Sequence, residues 1–245
     1  ESGDTATEQA IIAASRLPET TIIKMASSNY MVQDVCFFLQ KLGVKIKGVG
    51  TTTLEITGVK DINKDISYTP APDPIEAMFF ISLAITTNSD LNIKNCPIEF
   101  LELEIEKLKK MGFKPTISNV YLAKNGKTKL VDVKTNKCSL TNQPEKIYGR
   151  PFPGLNIDNL PFFVPICSVS EGKTLIHDWI YENRAIYYIE LNKLGANIDL
   201  ADPHRVFVTG KVQFQPAELI CPPALRPAAI ILIAMLSAKG TSILR

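Results

Sequence analysis

Cysteine is scarce in this sequence and is not arranged for cross-linking. The chain of 245 residues has 5 cysteines, an odd number, and none of them stands in a Cys-X-X-Cys spacing. This argues against a disulfide framework and against a zinc site built on cysteine. Isolated cysteines of this kind favour a reducing compartment, so we expect a cytoplasmic protein without a bound metal.

Histidine is rare, and the positive and negative charges nearly balance. The 2 histidines, His177 and His204, are separated by a whole predicted helix and indicate no metal site. Lysine and arginine number 27 against 25 acids, which leaves a formal net charge of +2. This balance provides neither the basic surface of a nucleic-acid-binding protein nor a polybasic membrane patch. We therefore expect no nucleic-acid partner and no membrane partner.

The sequence also lacks an apolar run long enough to cross a bilayer. The longest run, residues 228–238, reaches about half of the required length and predicts a buried helix instead. Hydrophobic residues make up 45% of the chain and charged residues 21%, which is typical of a globular protein. A chain of 245 residues can form one large or two smaller domains around a sizeable core.

What the chain does contain is an internal repeat. Its unit is an apolar helix, a short strand, a second helix that ends at a glycine, and a β-hairpin. The first copy has helix 8–17, strand 21–23, helix 30–42, Gly43 and hairpin 44–59, and the second has helix 75–87, strand 91–93, helix 97–111, Gly112 and hairpin 114–133. The third has helix 160–170, strand 174–176, helix 181–194, Gly195 and hairpin 196–210, and a fourth begins with helix 227–238 and strand 242–244.

The hydrophobic pattern within each unit predicts how the units assemble. Helix 97–111 carries its apolar residues at helical spacing, and its charged run 102–110 is predicted to face solvent. The first helix of every copy is apolar nearly all round and must be buried. Several units must therefore pack with these helices inside and the sheets outside, which predicts an α/β fold.

Two segments rich in proline and glycine interrupt the repeats. Pro70, Pro72 and Pro74 fall close together, which predicts a hinge or a domain boundary at residues 67–73. The second segment, residues 143–154, leads directly to Asp158 at the start of an apolar helix. An acid there has two interpretations: an N-cap, or a functional carboxylate placed against the positive end of the helix. The residues alone leave both open.

The repeat and several short motifs resemble the enolpyruvyl transferase family. The strongest match joins Pro-Phe-Pro-Gly at 151–154, Asp158, and Tyr-Glu-Asn-Arg at 181–184. The other similar stretches are Ser-Gly-Asp-Thr-Ala-Thr-Glu at 2–8, Asp-Pro-Ile-Glu-Ala at 73–77 and Ala-Leu-Arg at 224–226. All of them occur in the family's order, so the resemblance covers the whole chain.

The resemblance implies a fold and an activity. The fold would be inside-out α/β barrel lobes built from βαβαββ repeats, with buried parallel helices wrapped by sheets. Residues 1–69 would be the last repeat of a first lobe, and residues 70–245 would be two and a half repeats of a second lobe. The activity would transfer the enolpyruvyl group of phosphoenolpyruvate to the 3-hydroxyl of UDP-N-acetylglucosamine, without a cofactor, as the first committed step of peptidoglycan synthesis.

The resemblance also assigns roles to individual residues. Asp158 matches the base that binds and deprotonates the acceptor hydroxyl, a task suited to an ionised carboxylate. Residues Ser2, Gly3 and Asp4 match a helix start whose backbone N–H groups meet the nucleotide's phosphates. Ile180 matches a position whose main chain contacts the sugar nucleotide.

The arginines have less definite roles. Arg226 either meets an anionic group of a substrate or forms a structural ion pair. Arg184 and Glu182 are expected to hold their loop together rather than to touch a substrate.

The departures from the family pattern predict a divergent paralog. Pro74, Ile157 and Ala224 stand where the family has or often has arginine, threonine and aspartate. The family's phosphoenolpyruvate-binding residues would lie before residue 1, so we expect a fragment that is inactive alone. Two further functions stay open: a 5-enolpyruvylshikimate-3-phosphate synthase-like transferase, and a non-catalytic paralog that binds a sugar nucleotide.

Overall fold

The computed structural model describes residues 3–245. Ser2, one of the predicted site residues, lies outside this range. The α-helices are α1 (Asp4–Ala14), α2 (Tyr30–Lys41), α3 (Pro74–Thr86), α4 (Glu102–Met111), α5 (Phe163–Val169) and α6 (Leu225–Ser237). Short 3-10 helices span Ile98–Phe100, Leu160–Phe162 and Ala185–Leu194. Across residues 3–245, no helix has the length and apolar character needed to span a membrane.

The strands alternate with the helices along the chain. They are β1 (Thr20–Lys24), β2 (Lys45–Lys47), β3 (Thr53–Thr57), β4 (Asn92–Pro97), β5 (Thr116–Ile117), β6 (Tyr121–Leu122), β7 (Lys129–Lys134), β8 (Ile147–Tyr148), β9 (Gly172–His177), β10 (Ile198–Asp202), β11 (Arg205–Gly210), β12 (Glu218–Leu219) and β13 (Ile243–Leu244). This order reproduces the predicted repeat of helix, strand, helix and hairpin.

The chain divides into two compact units. The first extends to Pro72 and includes Val120–Leu130 and Pro151–Pro153, and the second comprises Asp73–Asn119, Val131–Arg150 and Gly154–Arg245. The division between Pro72 and Asp73 falls within the proline-rich segment. The assignment of residues 1–69 and 70–245 to two lobes stays a prediction.

The first unit contains the whole of the first repeat. Helices α1 and α2 pack together, and α1 also packs on a three-stranded antiparallel sheet in the order β1-β3-β2. Their buried apolar side chains form one core, which includes Ile11, Val32, Cys36 and Ile56.

The second unit buries the apolar helices of the later repeats. Helices α3, α5 and α6 pack against one another, and fully buried side chains such as Ile81, Ile166 and Ile233 lie on them. A four-stranded sheet in the order β10-β11-β9-β8 has α5 against β9 and β11. A second sheet places β7 between β4 and β5, and neither sheet closes on itself. The predicted α/β fold with helices inside is therefore confirmed.

Predicted helix 8–17 is observed as α1, Asp4–Ala14, and helix 97–111 as the 3-10 turn Ile98–Phe100 followed by α4. The two helices of the third copy differ more. The apolar helix 160–170 is observed as a 3-10 turn, Leu160–Phe162, followed by the short α5. Pro165 has no N–H to donate within the helix, which limits a regular α-helix here. Helix 181–194 is observed only from Ala185 and is a 3-10 helix. It ends, as predicted, at Gly195, whose φ of +88° suits glycine.

The buried face of α6 allows a test of this packing. Ile231 is fully buried, whereas its neighbour Leu232 is 41% exposed. Ile231→Ala should lower the free energy of unfolding by about 2–5 kcal/mol, because a buried side chain is removed and a cavity remains. Leu232→Ala should change it by less than about 0.5 kcal/mol. Urea unfolding measures both, and equal losses would contradict this orientation of the helix.

Candidate functional site

Asp158 lies in a turn just before the 3-10 helix Leu160–Phe162. Its Oδ1 is 3.3 Å from Nη1 of Arg184 and 3.6 Å from Nε of Arg226. The N-cap position is occupied by Asn159, whose side chain makes no capping hydrogen bond. The N-cap interpretation of Asp158 is therefore wrong: its carboxylate faces two guanidinium groups, and about a quarter of its side chain stays exposed (25%).

The turn that carries Asp158 is organised by Asn156. The side-chain Oδ1 of Asn156 accepts a hydrogen bond from the Asp158 N–H at 2.8 Å. Its carbonyl oxygen accepts from the N–H groups of Asn159 at 3.0 Å and of Leu160 at 3.1 Å. Asparagine favours such turns because its short side chain can bond to the backbone two residues further on.

Glu104 of helix α4 also accepts hydrogen bonds from this turn. Its Oε1 accepts a hydrogen bond from the Asn156 N–H at 3.0 Å and from Nδ2 of Asn159 at 2.9 Å. Glu104 is only 1% exposed, so the prediction that run 102–110 faces solvent is wrong at this position. Because Glu104 stands three residues after the buried Leu101, it lies on the apolar stripe of the helix. An acid at a stripe position was the signal that could have revealed it.

Arg184 donates hydrogen bonds to the same turn. Its guanidinium donates to both carboxylate oxygens of Asp178, at 2.5 Å from Nε and 3.0 Å from Nη2. Nη2 also donates to the carbonyl oxygen of Ile157 at 2.6 Å. The guanidinium lies over the ring of Tyr181, 4.2 Å from the ring centroid. These contacts agree with the expectation that Arg184 holds its loop together.

Asp178 is a buried anchor that the sequence analysis missed. It is 1% exposed and follows strand β9 directly. The hydroxyl of Tyr188 donates to its Oδ2 at 2.5 Å. Burial, and then the negative charge of Asp178, raise the pKa of Tyr188 well above its ordinary value, which keeps this hydroxyl a donor. Nothing in the local pattern marked Asp178, because its partners are 6 and 10 residues further along the chain.

Arg226 and Ile180 lie in the same unit as Asp158. Arg226 is in the first turn of α6, and within the described residues its buried Nε has no hydrogen-bond partner. Ile180 lies in the loop after β9, beside Trp179. The indole of Trp179 donates to the carbonyl oxygen of Gly149 at 2.8 Å and so ties this loop to the segment that leads to Asp158.

Gly3 and Asp4 belong to the first unit and begin helix α1. The carbonyl oxygen of Gly3 accepts from the N–H and the hydroxyl of Thr7, at 3.0 Å and 2.7 Å. The carboxylate of Asp4 accepts hydrogen bonds from the hydroxyl of Ser27 and, at 2.9 Å, from Nδ2 of Asn29. Its negative charge compensates the positive end of the helix. The side chain of Asp4 is thus engaged by the protein itself.

The cysteines and acids of the described chain show no metal-binding arrangement. Among residues 3–245, no group of histidine, cysteine, aspartate and glutamate side chains could hold a metal ion. Cys36, Cys96 and Cys167 are buried, and burial raises the pKa of Cys36 to about 12. These three behave as small core residues.

Comparison with known proteins agrees with the fold and the motifs. A model of the family EPSP synthase (3-phosphoshikimate 1-carboxyvinyltransferase) matches residues 2–245. The UDP-N-acetylglucosamine 1-carboxyvinyltransferase of Treponema denticola is 36% identical over 246 residues, which are 100% of this chain and 56% of that protein. The protein of the same name from Lawsonia intracellularis is 34% identical over 96% of this chain and 53% of its own length.

A solved structure supports the same fold. The enolpyruvyl transferase NikO from Streptomyces tendae superimposes with a TM-score of 0.82 and 24% identity, over 99% of this chain and 55% of that one. The chain therefore belongs to the EPSP synthase family, the enolpyruvyl transferases. It spans about half the length of the curated relatives that it matches.

The buried Glu104 should make stability depend on pH. Burial raises the pKa of Glu104, and the hydrogen bonds from Asn159 and Asn156 and the charge of Lys107 lower it less. A carboxyl with a raised folded-state pKa contributes stability that is present in acid and is lost as the pH rises through that pKa. Relative to Glu104→Gln, the parent should therefore lose stability with rising pH. Urea unfolding of both proteins from about pH 4 to about pH 8 tests this, and a constant difference would contradict it.

The hydrogen bond from Tyr188 to Asp178 should contribute to stability. Tyr188→Phe removes a donor to a buried carboxylate and should lower the free energy of unfolding by about 1.5–3 kcal/mol. Tyr187→Phe, at the neighbouring and partly exposed position, is the matched control and should have little effect. If both variants unfold at the same urea concentration as the parent, Asp178 does not depend on this hydroxyl.

Proposed function

We propose that this protein transfers the enolpyruvyl group of phosphoenolpyruvate to the 3-hydroxyl of UDP-N-acetylglucosamine, the first committed step of peptidoglycan synthesis. The observation that carries the proposal is the partly exposed carboxylate of Asp158, held between Arg184 and Arg226 in a hydrogen-bonded turn. The names of the relatives, which align over nearly the whole chain, support the choice of acceptor.

In this proposal Asp158 is the general base. Its carboxylate accepts the proton of the acceptor hydroxyl while the hydroxyl oxygen forms a bond to C2 of the enolpyruvyl group. The bond between C2 and the phosphate oxygen breaks, and phosphate leaves. A positioned base of this kind contributes about 10²–10⁴-fold to a rate. Arg184 keeps the carboxylate in place, because acceptor atoms on three residues, Asp178, Ile157 and Asp158, fix its guanidinium.

The remaining predicted residues are assigned to binding. The start of α1, with Ser2, Gly3 and Asp4, offers first-turn N–H groups to the nucleotide's phosphates. The carboxylate of Asp4 would serve there through Ser27 and Asn29 rather than by touching an anion. The main chain of Ile180 contacts the sugar nucleotide, and Arg226 meets an anionic group of a substrate.

Asp158→Asn tests the role of the base. Asparagine keeps the size of the side chain but cannot accept the proton, so turnover should fall by about 10²–10⁴-fold. The measurement is phosphate release from phosphoenolpyruvate with UDP-N-acetylglucosamine, in the whole protein as the cell makes it. Asp199→Asn, at an exposed acid on β10, is the control and should leave the rate unchanged.

The same assay separates the competing functions. A variant that melts like the parent and keeps near-parent turnover would show that Asp158 is not the base. Turnover with shikimate 3-phosphate in place of the sugar nucleotide would instead assign the protein to the activity for which the family is named. Binding of UDP-N-acetylglucosamine without turnover by the parent would identify a non-catalytic paralog.

A further inference from the structure

Glu104 is a buried acid that the proposed reaction does not use. It lies on α4, in the second repeat, whereas Asp158 lies just before the first helix of the third. Its side chain is 1% exposed and stands among apolar stripe residues such as Leu101 and Leu108. A carboxyl buried in such surroundings is costly, and a leucine would pack there without that cost. The presence of an acid at this buried position therefore indicates a role other than packing.

The hydrogen bonds of Glu104 converge on one atom and on one turn. Oε1 accepts from the backbone N–H of Asn156 and from the side chain of Asn159, the residues that flank the Ile157–Asp158 dipeptide. Asn156 in turn accepts the Asp158 N–H through its own side chain. A single oxygen atom of α4 thus fixes both ends of the segment that carries Asp158.

We propose that Glu104 is a positioning residue for Asp158, which sets the place of the carboxylate relative to the acceptor hydroxyl. This inference rests on the proposed function of Asp158 as base. Arg184 fixes the carboxylate itself, whereas Glu104 fixes the backbone from which it projects. A displacement of about 1 Å at such a group can cost about 10²-fold in rate, so the anchor need not touch a substrate to matter.

Two substitutions separate positioning from charge. Glu104→Gln keeps the Oε1 acceptor for both asparagine donors, so kcat should stay within about threefold of the parent. Glu104→Leu removes the acceptor and frees the turn, and kcat should fall by about 10–100-fold while KM changes little. Glu106→Leu, on the exposed face of the same helix, is the control and should leave both constants unchanged.

A double substitution shows whether Glu104 acts through Asp158. In an Asp158→Asn background, Glu104→Leu should lower kcat by less than about twofold further, because the group that it positions is already lost. An equally large further loss in that background would overturn the proposal. Parent-like kcat for folded Glu104→Leu would overturn it as well.

A second variant covers the case in which Glu104→Leu does not fold. Asn159→Ala breaks the same contact from the other partner and should lower kcat in the same range with KM little changed. Parent-like kcat for this variant would overturn the proposal. Failure of this proposal and failure of the proposed function give different results. If Asp158 is not the base, the single variant Asp158→Asn keeps its turnover, whatever the Glu104 and Asn159 variants do.

Discussion

The bidentate pair between Arg184 and Asp178 is the interaction on which the candidate site depends. Both side chains are buried, at 7% and 1% exposure, so neither charge has water to compensate it. Removing one partner of such a pair typically costs about 3–5 kcal/mol, because the other charge is left buried and alone. The pair therefore constrains its surroundings: the carbonyl of Ile157 and the carboxylate of Asp158 lie where the remaining guanidinium N–H groups point.

The site is also where the repeats stop being equivalent. Each copy builds its part of the fold from the same unit of helix, strand, helix and hairpin, but Glu104 in the second copy and Asp178 in the third place buried acids around one turn. Neither acid improves packing, since apolar residues of similar volume would fill these positions at lower cost. The two acids hold the turn before the 3-10 helix Leu160–Phe162 from α4 and from the end of β9. The repeat architecture thus supplies the scaffold, and a few buried polar side chains define the site.

Much of the fold follows from local sequence, because glycines and turn dipeptides act over short distances. Gly112 and Gly195 end their helices with positive φ, as predicted, and Asn125-Gly126 lies in the turn between β6 and β7. The site was less accessible to such reasoning. Asp158 stood out because of its motif, yet its partners come from distant segments. The charge of Glu104 predicts a position in solvent, whereas its place on the apolar stripe predicts the buried position that is observed.

The two arginines around Asp158 differ in how many of their guanidinium N–H groups are bound by the protein. Arg184 donates to Asp178, to Ile157 and to Asp158, so its donors serve the protein. Arg226 approaches Asp158 only at 3.6 Å, and within residues 3–245 its buried Nε has no hydrogen-bond partner. This Nε faces the Asp158 carboxylate, so the two charges attract each other although no hydrogen bond joins these atoms. Arg226 thus keeps an ion pair with Asp158 without the hydrogen bonds that fix Arg184, and its contact with an anionic substrate group stays a prediction.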